Sequence, residues 1–356
     1  PQASPERFKA SMGETHVVRF EPVGIEIEVP EEQTVLRAAT EQGLMLMHGC
    51  KEGQCAACKS FVLDGDDIEL DKYSSFALPD FEREEGYTLL CRAHVYEDVT
   101  IELLNYDEEM IHSGLPIQTA TMEVVSNELV TPDLHSLVLS LVEPTEFAFF
   151  PGQYVEMTVP GTDVTRSFSI ANCSAKTSGQ LEFVIRAYPD GAFSHLLAQS
   201  MGPGTKVEVV GPFGVFTLRE GRDSDIVFVG GGAGMAPVLS VLRQLAEKGS
   251  NRKISFYYGA RRRHDLCFEQ ELADLGGQLP GFRYVPALSE PDDAPWDGET
   301  GLITDVVRRH ESELDAADCY VCGPPPMVEA AMETLLHLGA AEKRIYYDKF
   351  TTTGMS

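Results

Sequence analysis

Four cysteines constrain this chain more than any other feature. Cys50, Cys55 and Cys58 fall within nine residues, and Cys91 follows thirty-three residues after Cys58. The pattern C-x4-C-x2-C…C is the spacing of a plant-type [2Fe–2S] centre. Two irons need four thiolates converging on one small volume. A tight loop supplies three and a returning segment the fourth. Gly49, Gly53, Ala56 and Ala57 keep the loop small, so backbone N–H groups reach the sulfurs and, with solvent exposure, tune the reduction potential. Zinc sites favour two short Cys pairs, or Cys with His at knuckle spacing. A Rieske centre needs two histidines in place of two cysteines. His48 and His94 lie near the loop at the wrong offsets, and both read as packed or solvated.

Charge narrows the function further. The 356 residues carry 56 acids against 28 bases, a net charge of −28. That excludes nucleic acid as a partner, since phosphate is neutralised by basic surfaces. The acidity is uneven: residues 1–110 hold 24 acids and 9 bases, net −15, and the other 246 residues are net −13. A separate N-terminal module follows. Its acids Asp64, Asp66, Asp67, Glu69 and Asp71 read equally as a docking face or as a solvated loop. Apolar runs such as 226–229 are far too short to span a bilayer. The opening stretch 1–13 is polar and irregular, with no secretion pattern. The chain begins with proline, so a trimmed start is expected. A chain this long does not need disulfides, and an even cysteine count is no evidence for them. Cys173, Cys267 and Cys319 read as structural.

Periodicity divides the chain in three. Residues 16–20 and 25–29 read as a hairpin, 34–42 as a short helix stopped by Gly43, and 60–63 and 99–103 as strands around a polar acidic stretch. Residues 108–116 read as a linker. Strands at 119–125, 135–142, 153–159, 166–172, 180–187 and 205–210, with one helix at 192–199, predict a six-stranded antiparallel barrel. From 226 on, strands (226–229, 253–258, 282–287, 318–322, 344–347) alternate with helices (234–248, 268–275, 303–310, 325–338). That predicts a parallel sheet covered on both faces. Internal repeats and low-complexity tracts are lacking. The expected domains are 1–112, 113–221 and 222–356.

Arg166-Ser167-Phe168-Ser169 lies on a barrel strand, and here the chain resembles the ferredoxin–NAD(P)+ reductase superfamily, whose flavin motif is R-x-[YF]-[ST]. An arginine holds phosphate bidentately. By resemblance, Arg166 takes the phosphate, Phe168 covers the isoalloxazine and Ser169 faces the flavin N5. Phe150-Pro151-Gly152-Gln153-Tyr154 precedes the motif. Val184-Ile185-Arg186, Gly191-Ala192-Phe193-Ser194 and Gly211-Pro212-Phe213-Gly214 follow it. A Gly-x-x-Ser turn opening a helix offers free N–H groups to a diphosphate, which favours FAD. Arg186, Gly191, Phe193 and Ser194 join the flavin set.

Gly230-Gly231-Gly232-Ala233-Gly234-Met235-Ala236-Pro237 follows a strand and opens a helix, so a dinucleotide phosphate can approach the backbone. It departs from G-x-G-x-x-G, and Gly259-Ala260-Arg261 stands where an acid would take the ribose. The resemblance identifies the turn, with Gly231, Gly232, Gly234 and Pro237, as the nucleotide site. It sets Cys322-Gly323-Pro324-Pro325 beside the nicotinamide, with Cys322 positioning rather than attacking. Phe350 is the candidate C-terminal aromatic against the flavin; Asp348 stands where relatives often have Glu. Arg261, Arg262 and Arg263 read either as a 2′-phosphate site or as a solvated turn, and the resemblance to NADH-using bacterial relatives favours NADH.

The whole pattern is similar to the reductase components of soluble di-iron monooxygenases, of the methane and propane type. The stretches that carry this are 50–59, 85–92 and 160–167. The resemblance implies a multidomain α+β and α/β chain: a β-grasp ferredoxin domain, a flavin-binding barrel and a parallel-sheet nucleotide domain. Its cofactors would be a [2Fe–2S] cluster, FAD and NADH, with NADPH as the alternative. It would convert hydride pairs to single electrons for a di-iron hydroxylase, as a cytoplasmic monomer docking transiently without membrane contact. A Rieske dioxygenase reductase shares this module order, and an iron–sulfur redox sensor or carrier without reductase activity is the reading of another class.

Overall fold

The computed structural model of the chain describes residues 13–350 apart from 109, 175–178 and 293–294, so the opening stretch read from 1–13 lies outside the described residues except for Gly13. Two compact units result, Pro1–Gly114 and Leu115–Ser356. In the first, alternation sets the pairing. Val18 and Phe20 of β1 (Thr15–Glu21) and Ile27 and Val29 of β2 (Ile25–Pro30) are buried, and the two strands pair antiparallel. α1 (Val35–Glu41) begins where Thr34 Oγ1 accepts the Arg37 N–H and ends before Gly43, at φ +82°. It buries Val35, Leu36, Ala38 and Ala39 in the core of this unit.

β3 (Lys59–Asp64), β4 (Ile68–Leu70), α2 (Asp80–Glu85), β5 (Tyr87–Leu89), β6 (Ala93–Val95) and β7 (Val99–Leu103) complete the unit. Among the described residues the sheet order is β2-β1-β7-β3-β5, parallel only at β1–β7, with β4 and β6 paired apart. The stretch read as a polar acidic loop therefore holds three short strands and a helix. Each is too short to establish a period. Part of the expected linker belongs here too: Ile111 is buried and its carbonyl accepts the Met45 N–H at 2.9 Å.

The second unit starts with β8 (Gln118–Leu129), β9 (Leu134–Glu143), β10 (Tyr154–Thr158), β11 (Thr165–Ser169), β12 (Gln180–Arg186), α3 (Ala192–Gln199) and β13 (Lys206–Phe213). Its strands run β11-β10-β13-β8-β9-β12, all antiparallel. A bridge from Ile170 to Phe183 nearly closes them into a barrel around Val155, Met157, Leu181 and Val209. β14 (Ile226–Gly231), α4 (Met235–Glu247), β15 (Ile254–Ala260), α5 (Glu269–Gln278), β16 (Phe282–Leu288), β17 (Glu299–Thr300), α6 (Ile303–His310), β18 (Asp318–Gly323), α7 (Pro325–His337) and β19 (Ile345–Lys349) follow. They form a parallel sheet of order β17-β16-β15-β14-β18-β19. The chain builds outward from β14 on one side, then returns to place β18 on the other. The carboxyl ends of β14 and β18 thus meet at a topological switch point, where ligands of open α/β sheets bind.

Buried polar groups lock the barrel to this sheet. Ser240 of α4 accepts the Gly152 N–H (3.1 Å) and donates to the Asn172 carbonyl (2.7 Å). Arg243, one helical turn on, reaches the Ala171 carbonyl, Glu182 and Glu271. On the segment joining the two, Arg219 is only 1% exposed, donates to the carbonyls of Val215 and Thr217, and stacks 3.9 Å from the Tyr346 ring. Asp318, fully buried at the start of β18, takes Arg252 at 2.9 Å, Arg222 at 3.1 Å and Ser224 at 2.6 Å. Removing one member of such a cluster leaves guanidinium charge uncompensated. Asp318→Ala is therefore expected to destabilise this unit by about 3–5 kcal/mol, measured as a lowered urea midpoint; an unchanged midpoint would show that the cluster contributes nothing.

Candidate functional site

The cysteine loop is held in an unusual backbone. Lys51 and Ala56 take left-handed conformations, φ 55° and 59°, which L-residues adopt rarely. This turns N–H groups onto sulfur: Glu52 and Gln54 donate to Cys50 Sγ (3.4 and 3.2 Å), and Cys50 donates to Cys55 Sγ (3.3 Å). The four thiols fall into two hydrogen-bonded pairs, Cys50 with Cys55 and Cys58 with Cys91. Cys58 and Cys91 are buried. The Cys55 thiol and then the loop N–H donors draw Cys50 down to about 6, while Cys55 and Cys58 are pushed up by their partner thiols and by burial. Adjacent thiolates repel, and cationic iron relieves that repulsion. Two sulfur pairs with N–H donors fit a two-iron centre with two cysteines per iron. His48 is buried against the Leu46 carbonyl, and His94 bonds the Glu31 carbonyl and Asp71.

In the barrel, strand alternation puts Arg166 and Phe168 on one face of β11 and Ser167 and Ser169 on the other. Phe168 packs 4.6 Å from Phe193, ring to ring, and Phe193 is buried at the start of α3. Arg166 is half-buried and bonds only the Thr165 carbonyl among the described residues, so its guanidinium keeps donors to spare. Ser169 is buried at the end of the strand. Gly191 caps α3 without a side-chain acceptor, and Ser194 Oγ instead accepts the Tyr188 N–H (2.8 Å). The first N–H groups of α3 remain for an anion. The donor set fits a flavin diphosphate.

Arg186 goes elsewhere than its sequence neighbours suggest. It leaves the end of β12 and lies on the glycine turn of the sheet: a Cβ on Gly232 would come 2.7 Å from its Nη2. Gly232 also has φ +58°, a left-handed conformation that disfavours any side chain there. Gly231 ends β14 at the switch point, Gly232 opens the 3-10 turn that follows, and Gly234 leads into α4 with Pro237 in its first turn, where no N–H is needed. A Cβ on Gly234 would collide with the Cys322 carbonyl, and the Cys322 thiol donates to the Gly234 carbonyl at 3.0 Å. Gly230 and Cys322 are register partners. Cys322 is fully buried, and burial raises its thiol well above the usual range, so it stays protonated. Pro324 caps α7 beside Gly323. Phe350 donates its N–H to the Gly323 carbonyl (2.9 Å), bringing the terminal aromatic to this same motif.

Arg262 pairs with Asp292, and Arg263 pairs with Glu269 and lies over the Trp296 ring. Arg261 alone of the three has no ion-pair partner among the described residues. Sequence reasoning missed Ser240 and Arg243, whose signal is a serine and an arginine on the buried face of a helix, and gave no sign that Arg186 crosses to the glycine turn.

Residues 18–96 match the 2Fe-2S iron-sulfur cluster binding domain, 121–218 the oxidoreductase FAD-binding domain, and 228–333 the oxidoreductase NAD-binding domain. The chain is 48% identical over 351 residues to the reductase component of propane 2-monooxygenase from Rhodococcus jostii, covering 98% of this chain and 94% of that one. It is 35% identical to the reductase component of phenol 2-monooxygenase from a Pseudomonas, with 94% of each chain covered. The crystal structure of the Amycolatopsis cytochrome P450 reductase GcoB superposes with a TM-score of 0.82 at 30% identity, over 95% of this chain and 99% of that one.

Cys58→Ala is expected to abolish the cluster's visible and low-temperature EPR signals while leaving flavin reduction by NADH; loss of both would count against separable sites. The other thiols should be inert. Burial holds Cys267 up at about 11 and Cys173 and Cys319 at about 12, so all stay protonated well above neutrality. Iodoacetamide at pH 8 should label none of these, nor Cys322, at the rate of a free thiol, as read by peptide mass spectrometry.

Proposed function

This chain belongs to the reductase components of monooxygenases, and we propose that it draws electrons from NADH and delivers them to a di-iron hydroxylase component. It is an NAD(P)H oxidoreductase whose domains carry FAD and a [2Fe–2S] cluster. Reductase components of this family partner with hydroxylase components. When bound, the flavin takes a two-electron hydride and releases electrons singly, and the cluster carries one at a time. The protein's part is to bind and orient. Arg166 and the α3 N-terminus hold the diphosphate of FAD, with Ser167 beside them on β11. Phe168 and Phe193 form an apolar wall for the ring, with Ser169 at its reacting edge. Gly231, Gly232 and Gly234 admit the dinucleotide backbone, and Arg186, whose Nε pairs with Asp133 at 3.1 Å, lies beside that turn. Cys322, Gly323, Pro324 and Phe350 shape the nicotinamide pocket. Cys50, Cys55, Cys58 and Cys91 ligate the irons.

The observation that carries this reading is the meeting of Arg186 with Gly232. A cation from the flavin barrel stands at the nucleotide turn, so the two cofactor sites open on one cleft. NADH is favoured because a 2′-phosphate needs unpaired cations, and Arg262 and Arg263 already have acidic partners, leaving Arg261. The names of the relatives favour a monooxygenase over a ring-hydroxylating dioxygenase, and the complete flavin and nucleotide domains count against a mere sensor. We place the domains at 1–112, 113–221 and 222–356. The protein acts as a cytoplasmic monomer in a transient complex; among the described residues no helix is long and apolar enough to cross a membrane.

Anaerobic NADH should bleach both flavin and [2Fe–2S] absorption, with kcat/KM for NADH exceeding that for NADPH; a preference for NADPH would reassign Arg261. Arg166→Ala should purify with most of its FAD lost, and unchanged flavin content would remove Arg166 from the site.

A further inference from the structure

The first unit exposes two large apolar side chains on a strongly acidic surface. Phe76 is 82% exposed and Phe81 is 61% exposed. Single exposed hydrophobics are ordinary, but these two are five residues apart on the segment that covers the cluster loop. The Ser74 N–H bonds the Gly53 carbonyl at 3.0 Å, and Ala77 and Leu78 turn back onto the Ser74 carbonyl. Ala77 and Leu78 are buried, so the segment is anchored and Phe76 is held outward. Phe81 sits on α2 among Asp80, Glu82, Glu84 and Glu85.

The same unit carries a cavity of about 430 Å³ lined by Glu31, Glu32, Glu69, Asp71, His94 and Tyr96, among others. Asp71, which lines this cavity, lies three residues before Ser74 on the segment that carries Phe76. Its N–H bonds the carbonyl of Arg92, the residue after Cys91, at 2.9 Å. The cavity is short of cations. Arg92 and His94 engage Asp71, and His16 engages Glu31. Glu32 and Glu69 have no cationic partner among the described residues.

We propose that these two features form one docking face for the hydroxylase. Lysine or arginine side chains of the partner enter the acid-lined cavity, while Phe76 and Phe81 fill an apolar patch beside the point where electrons leave. This rests on the function proposed above and adds the surface and the chemistry of the partner: a basic rim around an apolar centre. Charge complementarity points to that occupant, since the first 110 residues are net −15 and a like-charged face would be repelled. Aromatic anchors with a charged rim are the usual division of labour, the anchors holding the complex and the charges steering it.

The test uses full-length holoprotein reducing the purified cognate hydroxylase with NADH, with ferricyanide as an acceptor that needs no protein face. Phe76→Ala and Phe81→Ala should each raise the KM for hydroxylase about ten-fold, equivalent to about 1.4 kcal/mol, and leave ferricyanide turnover and the visible spectrum unchanged. Glu32→Gln with Glu69→Gln should raise that KM about three-fold at low salt and flatten its dependence on ionic strength. Unchanged KM in both phenylalanine variants overturns the proposal, as does a parallel fall in ferricyanide turnover or loss of the cluster bands, which would make their role internal. If the unmodified protein reduces ferricyanide but not the hydroxylase, the monooxygenase reading itself falls, and the docking face with it.

Discussion

The reductase half of the molecule depends on one helix face. α4 begins at the glycine turn and runs against the barrel, and its buried Ser240 and Arg243 bond the segments flanking the flavin strand. Gly152 lies before β10, and Ala171 and Asn172 lie just after β11. One rigid rod therefore fixes both the turn proposed for the nucleotide and the strand proposed for the flavin. Transfer between two bound groups demands reacting atoms about 3–3.5 Å apart and aligned, and a misplacement of about 1 Å can reduce the rate a hundred-fold. Hydrogen bonds suit such a seam better than apolar contact. They set a register, whereas greasy surfaces slide. The hydroxyl of Ser240 both accepts and donates, so the two barrel segments are tied through a single atom.

The parts of the site that were legible in the sequence are those whose chemistry is written in short-range spacing. The cysteine loop, the R-x-F-S strand and the glycine-rich turn each lie within about ten residues, and periodicity located every barrel strand and the main strands of the parallel sheet. What escaped were features made by distant segments. Arg186 reads as a member of the flavin set, and only the folded chain shows it resting on Gly232. The left-handed turns at Lys51 and Ala56 are likewise not written in the spacing. β4, β5, β6 and α2 were missed because three-residue strands and a six-residue acidic helix carry no period. Their order comes from neighbours such as Leu78 and Leu89, buried beneath them.

The division into two compact units matches the physical demands of the two electron steps. A hydride moves as a nucleus with its electron pair, so donor and acceptor must touch in a fixed geometry. The barrel and the nucleotide sheet share one unit, one polar seam and the Asp318 cluster. A single electron carries no nucleus and tolerates a gap and a range of orientations, so its carrier needs no such seam. The ferredoxin module is accordingly a unit with its own core of Val18, Phe20, Leu46 and Ile101, and it is the part that must also satisfy an external partner. Its surface answers to that second demand. Extra carboxylates weaken a small domain by self-repulsion, yet the negative charge is denser here, net −15 over residues 1–110 against −13 over the other 246.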